Sequence, residues 1–364
     1  MLGNSLHIGT FAGIPVKIHW TFGLLLLLVV YMGYSEGMSL IGISWYLLTI
    51  MALFVCVVLH EYGHALTARK YGVKTRDIIL SPIGGVARLE RMPEKPMQEF
   101  LIAIAGPLVN VAIAVLLLLI FLVFAIPDPI GIENGIGDFQ NPVNVLRTLL
   151  YINIVLFLFN LVPAFPMDGG RILRSLLSLK FGRLKATKIA TFIARGFAIL
   201  FFAVGLYFGQ FILAIIGIFV YFMSGSESKQ IGIEASFKST IISSVMRTHF
   251  TRLNIDDPIS IPIDKMIRER EYIFIVFNEL FQEVGVLDAY SIKSMVNATN
   301  QHQSVRAFVT PSIRYISPNA SVWDAYKVFT SEKISALAVK ENGQLTGIVD
   351  RLLIQNLIDL KVKS

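Results

Sequence analysis

Leu59-His60-Glu61-Tyr62-Gly63-His64-Ala65 lies inside an apolar run from Ile43 to Ala68 in which Glu61 is the only charge before Arg69. The stretch has the form H-E-x-x-H. On an α-helix residues four apart are about one turn apart, so His60 and His64 project from one face and can share a metal ion, with Zn²⁺ the best match. Glu61 falls beside the pair. There it would accept a proton from a water activated by the metal and pass it to a leaving amine, as metal-assisted peptide hydrolysis requires. Two core histidines with ordinary hydrogen-bond partners would give the same pattern in a soluble helix. Here the ionisable triplet sits in a predicted membrane span, where a charged group costs about 2.5–3.5 kcal/mol or more at the helix centre, which favours the functional reading.

The composition supports a membrane setting. The 364 residues are 54% hydrophobic and 16% charged, too apolar for a soluble globular chain, and point to a polytopic α-helical membrane protein with about six transmembrane helices. The net charge of +7 is not gathered into a basic arm or an aromatic-basic stripe, so nucleic acid is excluded as a partner. The single cysteine, Cys56, rules out an internal disulfide framework and a cysteine metal cage. It lies one turn before His60 and reads as a small apolar filler rather than a ligand. Met1 to His19 show no cleavable signal peptide.

Leu2 to Trp20, with Gly9, Gly13 and Pro15, reads as a short extended segment before the membrane. Spans are predicted at about Thr21–Tyr34, with Trp20 as an interfacial anchor, Ile43–Ala68, Glu99–Ile126, Arg147–Val162, Thr187–Phe208 and Gln210–Met223. In the third, Ala103, Gly106 and Ala114 would allow close helix contact, and Asn110 follows Gly106-Pro107. Segments Arg69–Lys95 and Arg171–Lys188 are rich in Lys and Arg, whereas Ser35–Ser44 and Pro127–Val145 contain only the acidic residues Glu36, Asp128, Glu133 and Asp138. The positive-inside rule then places both termini in the cytoplasm, with Arg147 the one basic residue on the wrong side. His64, five residues before Arg69, lies roughly 7 Å from that end of its helix, so the metal would sit near the cytoplasmic face of the lipid bilayer.

The third ligand belongs at that depth. The fourth span ends Phe159-Asn160-Leu161-Val162-Pro163-Ala164-Phe165-Pro166-Met167-Asp168-Gly169-Gly170-Arg171. Two prolines break the helix and Gly169-Gly170 permits a sharp turn, which puts the Asp168 carboxylate on an irregular segment held inside protein. Asp168 is the candidate third ligand, with capping of the following helix as the bland alternative. Two histidines and a carboxylate leave one metal position open, the arrangement of a catalytic site. Asp77–Leu80 and Val86–Leu89, around Ser81-Pro82-Ile83-Gly84-Gly85, form a hairpin signal. Its free edge could pair with an extended substrate, or the segment could be a loop dipping into the interface.

HEYGH in a span, followed about a hundred residues later by NLVPAFPMDGGR, resembles the site-2 protease family of intramembrane zinc metalloproteases. The resemblance is closest to the prokaryotic group with a C-terminal pair of cystathionine-β-synthase-type (CBS) repeats. It implies His60, His64 and Asp168 as ligands of one Zn²⁺ and Glu61 as the catalytic glutamate. It also implies a substrate-binding role for Asn160, and for Gly84 and Gly85 in a loop similar to the family's membrane-inserted β-loop. The expected fold is thus a membrane-helix domain with a membrane-associated β-hairpin (1–226), a linker (227–240) and a cytoplasmic α/β CBS pair (241–364, repeats about 241–302 and 303–364). The repeat itself is visible: Glu283-Val284-Gly285-Val286-Leu287-Asp288 recurs as Gln344-Leu345-Thr346-Gly347-Ile348-Val349-Asp350. Each copy follows a strand (Tyr272–Phe277, Ala336–Val339) and precedes a short helix (Tyr290–Val296, Leu352–Leu360).

CBS pairs of this kind imply an adenine nucleotide as regulatory ligand. The ribose-binding aspartate expected three residues after Asp288 or Asp350 is, however, Ser291 or Leu353. Dimerisation of two copies through the CBS domains, or docking of substrate, is the other role for the module. The resemblance further implies regulated intramembrane proteolysis of a transmembrane substrate, a membrane-tethered transcriptional regulator or its inhibitor. The rival from a different class is a metal-sensing or metal-transporting membrane protein gated by the CBS pair. Transport would need further ligands along a path, and His7, His19, His249 and His302 lie outside the spans.

Overall fold

The computed structural model describes residues 5–82, 84–90, 92–129, 142–296, 303–311, 313–332 and 334–363. The acidic residues Glu133 and Asp138, His302 and the loop residue Ile83 fall outside these. The chain divides into two compact units, Met1–Ser228 and Lys229–Ser364.

The first unit opens on two strands, β1 (Ser5–Phe11) and β2 (Ile14–His19), where the sequence suggested one extended segment. Ala12 and Gly13 both take positive φ, 48° and 75°, which closes a two-residue hairpin turn of the kind that matches strand twist. β2 then pairs in parallel with β3 (Thr75–Ser81), and β3 pairs antiparallel with β4 (Gly84–Leu89), giving the order β1-β2-β3-β4 with β4 at an edge. The predicted hairpin is thus the outer half of a four-stranded sheet. Val16 and Leu80 pack on Phe22 of α1 (Thr21–Ser35) and Phe54 of α2 (Leu40–Lys70), while Ile14 and Ile78 pack on Ala65. These contacts lay the sheet along the HExxH helix.

Among the described residues, five helices are long and apolar enough to cross a membrane: α2, α3 (Pro96–Val123), α4 (Pro142–Asn160), α6 (Arg183–Tyr207) and α7 (Phe211–Ser239). The predicted first span is the shorter apolar helix α1, whose 15 residues extend about 22 Å against a hydrocarbon core of about 30 Å. α2 starts at Ser39, whose hydroxyl accepts from the Gly42 N–H at 3.1 Å, and finishes with Arg69 and Lys70 against the negative end of its dipole. α5 (Asp168–Phe181) is short and follows the irregular stretch 161–167. The stretch 227–240, expected as a linker, is helical as far as Ser239. α7 runs unbroken through Ser224, whose hydroxyl lies 2.7 Å from the Val220 carbonyl oxygen one turn back and 3.1 Å from that of Phe165.

The second unit holds two copies of one motif. β5 (Arg252–Asn254), α8 (Ser260–Glu269), β6 (Phe274–Phe277), β7 (Glu283–Leu287) and α9 (Ala289–Val296) are matched by β8 (Tyr315–Ile316), α10 (Val322–Glu332), β9 (Ala336–Glu341), β10 (Gln344–Asp350) and α11 (Arg351–Lys363). Each three-stranded sheet joins one parallel and one antiparallel pair. Ile275 and Val286 of the first copy share a core with Ala338 and Ile348 of the second, so neither sheet face is left open.

Candidate metal centre

α2 carries His60 and His64, and α5 opens on Asp168, which lies 104 residues beyond His64 in the chain. The fold brings all three together, buried. The two Nε2 atoms are 3.1 Å apart, and Asp168 Oδ2 is 3.1 Å from His64 Nε2 and 3.3 Å from His60 Nε2. Behind them, His60 Nδ1 donates to Asn110 Oδ1 and His64 Nδ1 donates to the Ile102 carbonyl, each at 2.7 Å. A proton on each Nδ1 leaves each Nε2 with a bare lone pair. Two lone pairs and a carboxylate oxygen therefore converge with no donor between them, which only a cation relieves. The spacing suits one: the edge of a tetrahedron with zinc-ligand bonds of 2.0–2.1 Å is about 3.3 Å. Among the described residues this is the only such group of three, and buried Cys56 is not part of it.

Glycine makes the room. A Cβ on Gly106 of α3 would lie 2.2 Å from His64 Nε2 and 2.8 Å from His60 Nε2, and one on Gly63 would lie 2.6 Å from the Ala105 carbonyl oxygen. The small-residue stripe of the third span thus does more than let helices touch. It provides the floor under both imidazoles. Asp168 is not a cap: the N-cap of α5 is Met167, and the carboxylate turns to the histidines. Nor does Asp168 sit on the irregular segment itself. Gly169 and Gly170 are helical, and serve close packing rather than a turn, since a Cβ on Gly169 would be 2.3 Å from the Val162 carbonyl oxygen.

Glu61 points to the sheet. Its Oε2 accepts the Ala87 backbone N–H at 2.8 Å, and a Cβ on Gly85 would stand 3.0 Å from Glu61 Cγ. Edge strand β4 therefore runs against the glutamate. Gly84 starts that strand at φ 134°, a conformation side chains avoid. Asp77 of β3, fully buried, accepts from Arg88 Nε and Nη2, each at 2.5 Å, and from Lys17 at 2.8 Å, pinning β4 to β3 and β2. The hydrogen bonds from Arg88, with a smaller contribution from Lys17, outweigh burial and hold the Asp77 carboxyl down at about 2. Asn160 is the last residue of α4, half-buried, eight residues before Asp168.

Sequence reading missed Asn110 as the partner of His60 and Ala87 as the partner of Glu61. The first carried a signal. Asn110 is four residues after Gly106, hence on the same face of α3.

Residues 48–128 and 124–204 match peptidase family M50, and residues 305–354 match the CBS domain. The chain is 34% identical to zinc metalloprotease MJ0392 of Methanocaldococcus jannaschii over 365 residues, 99% of this chain and 98% of the relative. It is 26% identical to stage IV sporulation protein FB of Bacillus subtilis over 141 residues, 38% of this chain and 44% of that one. Among solved structures it is similar to a site-2 protease from Methanocaldococcus jannaschii, at 40% identity over 62% of this chain and 95% of that one, with a TM-score of 0.44.

Proposed function

Because the chain belongs to peptidase family M50, the site-2 protease family of zinc metalloproteases, we propose that it hydrolyses a peptide bond within or next to a transmembrane segment of a membrane-bound substrate. His60, His64 and Asp168 hold one zinc ion in this reading, and Glu61 is the catalytic carboxylate. The observation that carries it is the convergence of three bare acceptors, 3.1–3.3 Å apart, beside a glutamate that faces an edge strand.

Zinc bound there supplies a Lewis acid that lowers the pKa of water and polarises a carbonyl. Glu61 takes the proton of the attacking water and returns it to the leaving amine. Edge strand β4 offers backbone donors and acceptors that hold an unwound substrate segment extended alongside, and Gly85 lets that strand approach Glu61. Asn160, at the end of α4, is the candidate donor to the developing oxyanion. Buried Asn110 and Ile102 keep the imidazoles in the tautomer that can bind metal.

The distribution of Lys and Arg supports a cytoplasmic location for both termini and for the second unit. The CBS pair is the seat of regulation by adenine nucleotide, and the substrate is a membrane-tethered transcriptional regulator or its inhibitor. Purified Glu61→Gln is expected to retain one zinc per chain and to lose cleavage of a model transmembrane peptide in detergent, whereas His60→Ala or Asp168→Ala loses the metal. Full proteolysis by Glu61→Gln would refute the assignment.

A further inference from the structure

Arg174 belongs to neither motif, yet its side chain is 1% exposed. It lies on α5, six residues after Asp168. Its guanidinium is engaged on every side. Nε donates to Glu99 Oε1 at 2.8 Å, Nη2 donates to the same oxygen, and Nη1 donates to Glu227 Oε1 at 2.5 Å. The guanidinium carbon stands 5.2 Å from the centre of the Phe165 ring. Glu99, on α3, is as buried as the arginine, whereas the Glu227 side chain, on α7, is 29% exposed. Three helices thus meet on one cation.

Holding helices together does not require this. Burying ions costs several kcal/mol each, and apolar side chains of similar volume commonly pack such a site as well or better. A planar five-donor fork adds a fixed rotation and height for the helix that carries it. On α5 that setting matters, because the helix starts with a metal ligand and has no side-chain N-cap. Its first turn already rests on backbone: a Cβ on Gly170 would be 2.7 Å from the Ala164 carbonyl carbon, and Ser224 Oγ of α7 lies 3.1 Å from the Phe165 carbonyl oxygen. Arg174 secures the next turn. Its partner Glu99 precedes Ile102 by three residues on α3, the helix that accepts from His64 at Ile102 and from His60 at Asn110. One helix therefore references both histidines and, through Glu99, the aspartate.

We infer that Arg174, gripped by Glu99 and Glu227, is a positioning residue that sets Asp168 against the two histidines and so governs how tightly the metal is held. The inference rests on the assignment of those three residues as ligands. It is tested on the full chain in detergent, loaded with zinc or Co²⁺, comparing wild type with Arg174→Met, Arg174→Lys, Glu227→Gln and Asp168→Ala. Metal retention against a graded chelator, the visible absorption of bound Co²⁺ and the thermal midpoint are read together. Arg174→Met is expected to weaken zinc retention about tenfold or more and to shift the Co²⁺ spectrum. Arg174→Lys, which keeps the charge without the fork, falls between it and wild type. Should Arg174→Met not fold, Arg174→Lys and Glu227→Gln decide, the latter at a partly exposed position. Wild-type retention and an unchanged Co²⁺ spectrum in these variants, with only the midpoint lowered, would overturn the inference while leaving the ligands standing. Wild-type metal retention in Asp168→Ala would instead remove the ligand assignment and this inference with it.

Discussion

At the level of single residues, the bare Nε2 edges that His60 and His64 turn to Asp168 are made by what stands behind them. Asn110 and Ile102 hold the Nδ1 protons, and Gly106 leaves space for the Nε2 edges. Asn110→Leu keeps the bulk and removes the acceptor, so zinc affinity in a chelator competition is expected to fall about 10- to 100-fold. Unchanged affinity would mean that His60 is oriented by packing alone. Gly106→Ala, with a methyl 2.2 Å from His64 Nε2, should leave purified protein well below one zinc per chain, while Gly196→Ala, which meets open space, serves as a neutral control. The sequence made the histidine pair legible because helical periodicity alone puts positions 60 and 64 together. Asp168 was legible through the span order and the two prolines. Asn110 was legible only in part, since its place four residues after Gly106 fixes its face of α3 while its bond to His60 crosses between helices.

At the level of elements, the β-sheet and α2 form one working surface, because Ala87 on the edge strand donates to Glu61. Gly85→Val would press a side chain on Val57 and Glu61 and lift β4 away. Peptide cleavage is expected to drop at least tenfold with zinc content intact, and wild-type cleavage would exclude a role for this edge. Asp77 ties the same strand down. Its carboxyl is held below the ordinary 3.8, at about 2, so the stability it adds is complete above the ordinary value and is lost as pH falls through about 2. Thermal midpoints from pH 5 to pH 2 should therefore decline less steeply for Asp77→Asn than for wild type. Near neutrality that variant should be less stable by roughly 1.5–3 kcal/mol, the worth of charge-assisted hydrogen bonds. Of this surface the sequence revealed β3 and β4, which flank Pro82, with the glycine pair opening β4. β1 and β2 read only as one extended segment, because the alternation there is weak and the parallel pairing of β2 with β3 joins residues about sixty positions apart. α7 runs past Met223, where the predicted span ends, and through most of the expected linker 227–240, because tertiary partners at Phe165 and Arg174 hold the turn of Ser224 and Glu227 helical.

At the level of the whole molecule, a metalloprotease unit and a CBS pair share one chain. The pair was legible because its two copies repeat, down to Asp288 and Asp350, which accept from the Ser291 and Leu353 N–H groups at 2.9 and 2.6 Å and cap equivalent helices. If adenine nucleotide binds there, millimolar ATP or AMP should raise the thermal midpoint of the purified chain, and no shift with either would remove nucleotide from the scheme. The orientation drawn from Lys and Arg predicts that Phe281→Cys, at an exposed position of the second unit, reacts with an impermeant maleimide only after right-side-out vesicles are opened. The central claim is that α2 and α5 deliver their three side chains to one ion. X-ray absorption at the zinc edge of the purified, active chain tests it most directly. Two imidazole nitrogens with oxygen completing a four-coordinate shell at about 2.0–2.1 Å are expected, with the bound-zinc signal lost in Asp168→Ala; a sulfur neighbour at about 2.3 Å, or full activity without bound metal, would contradict it.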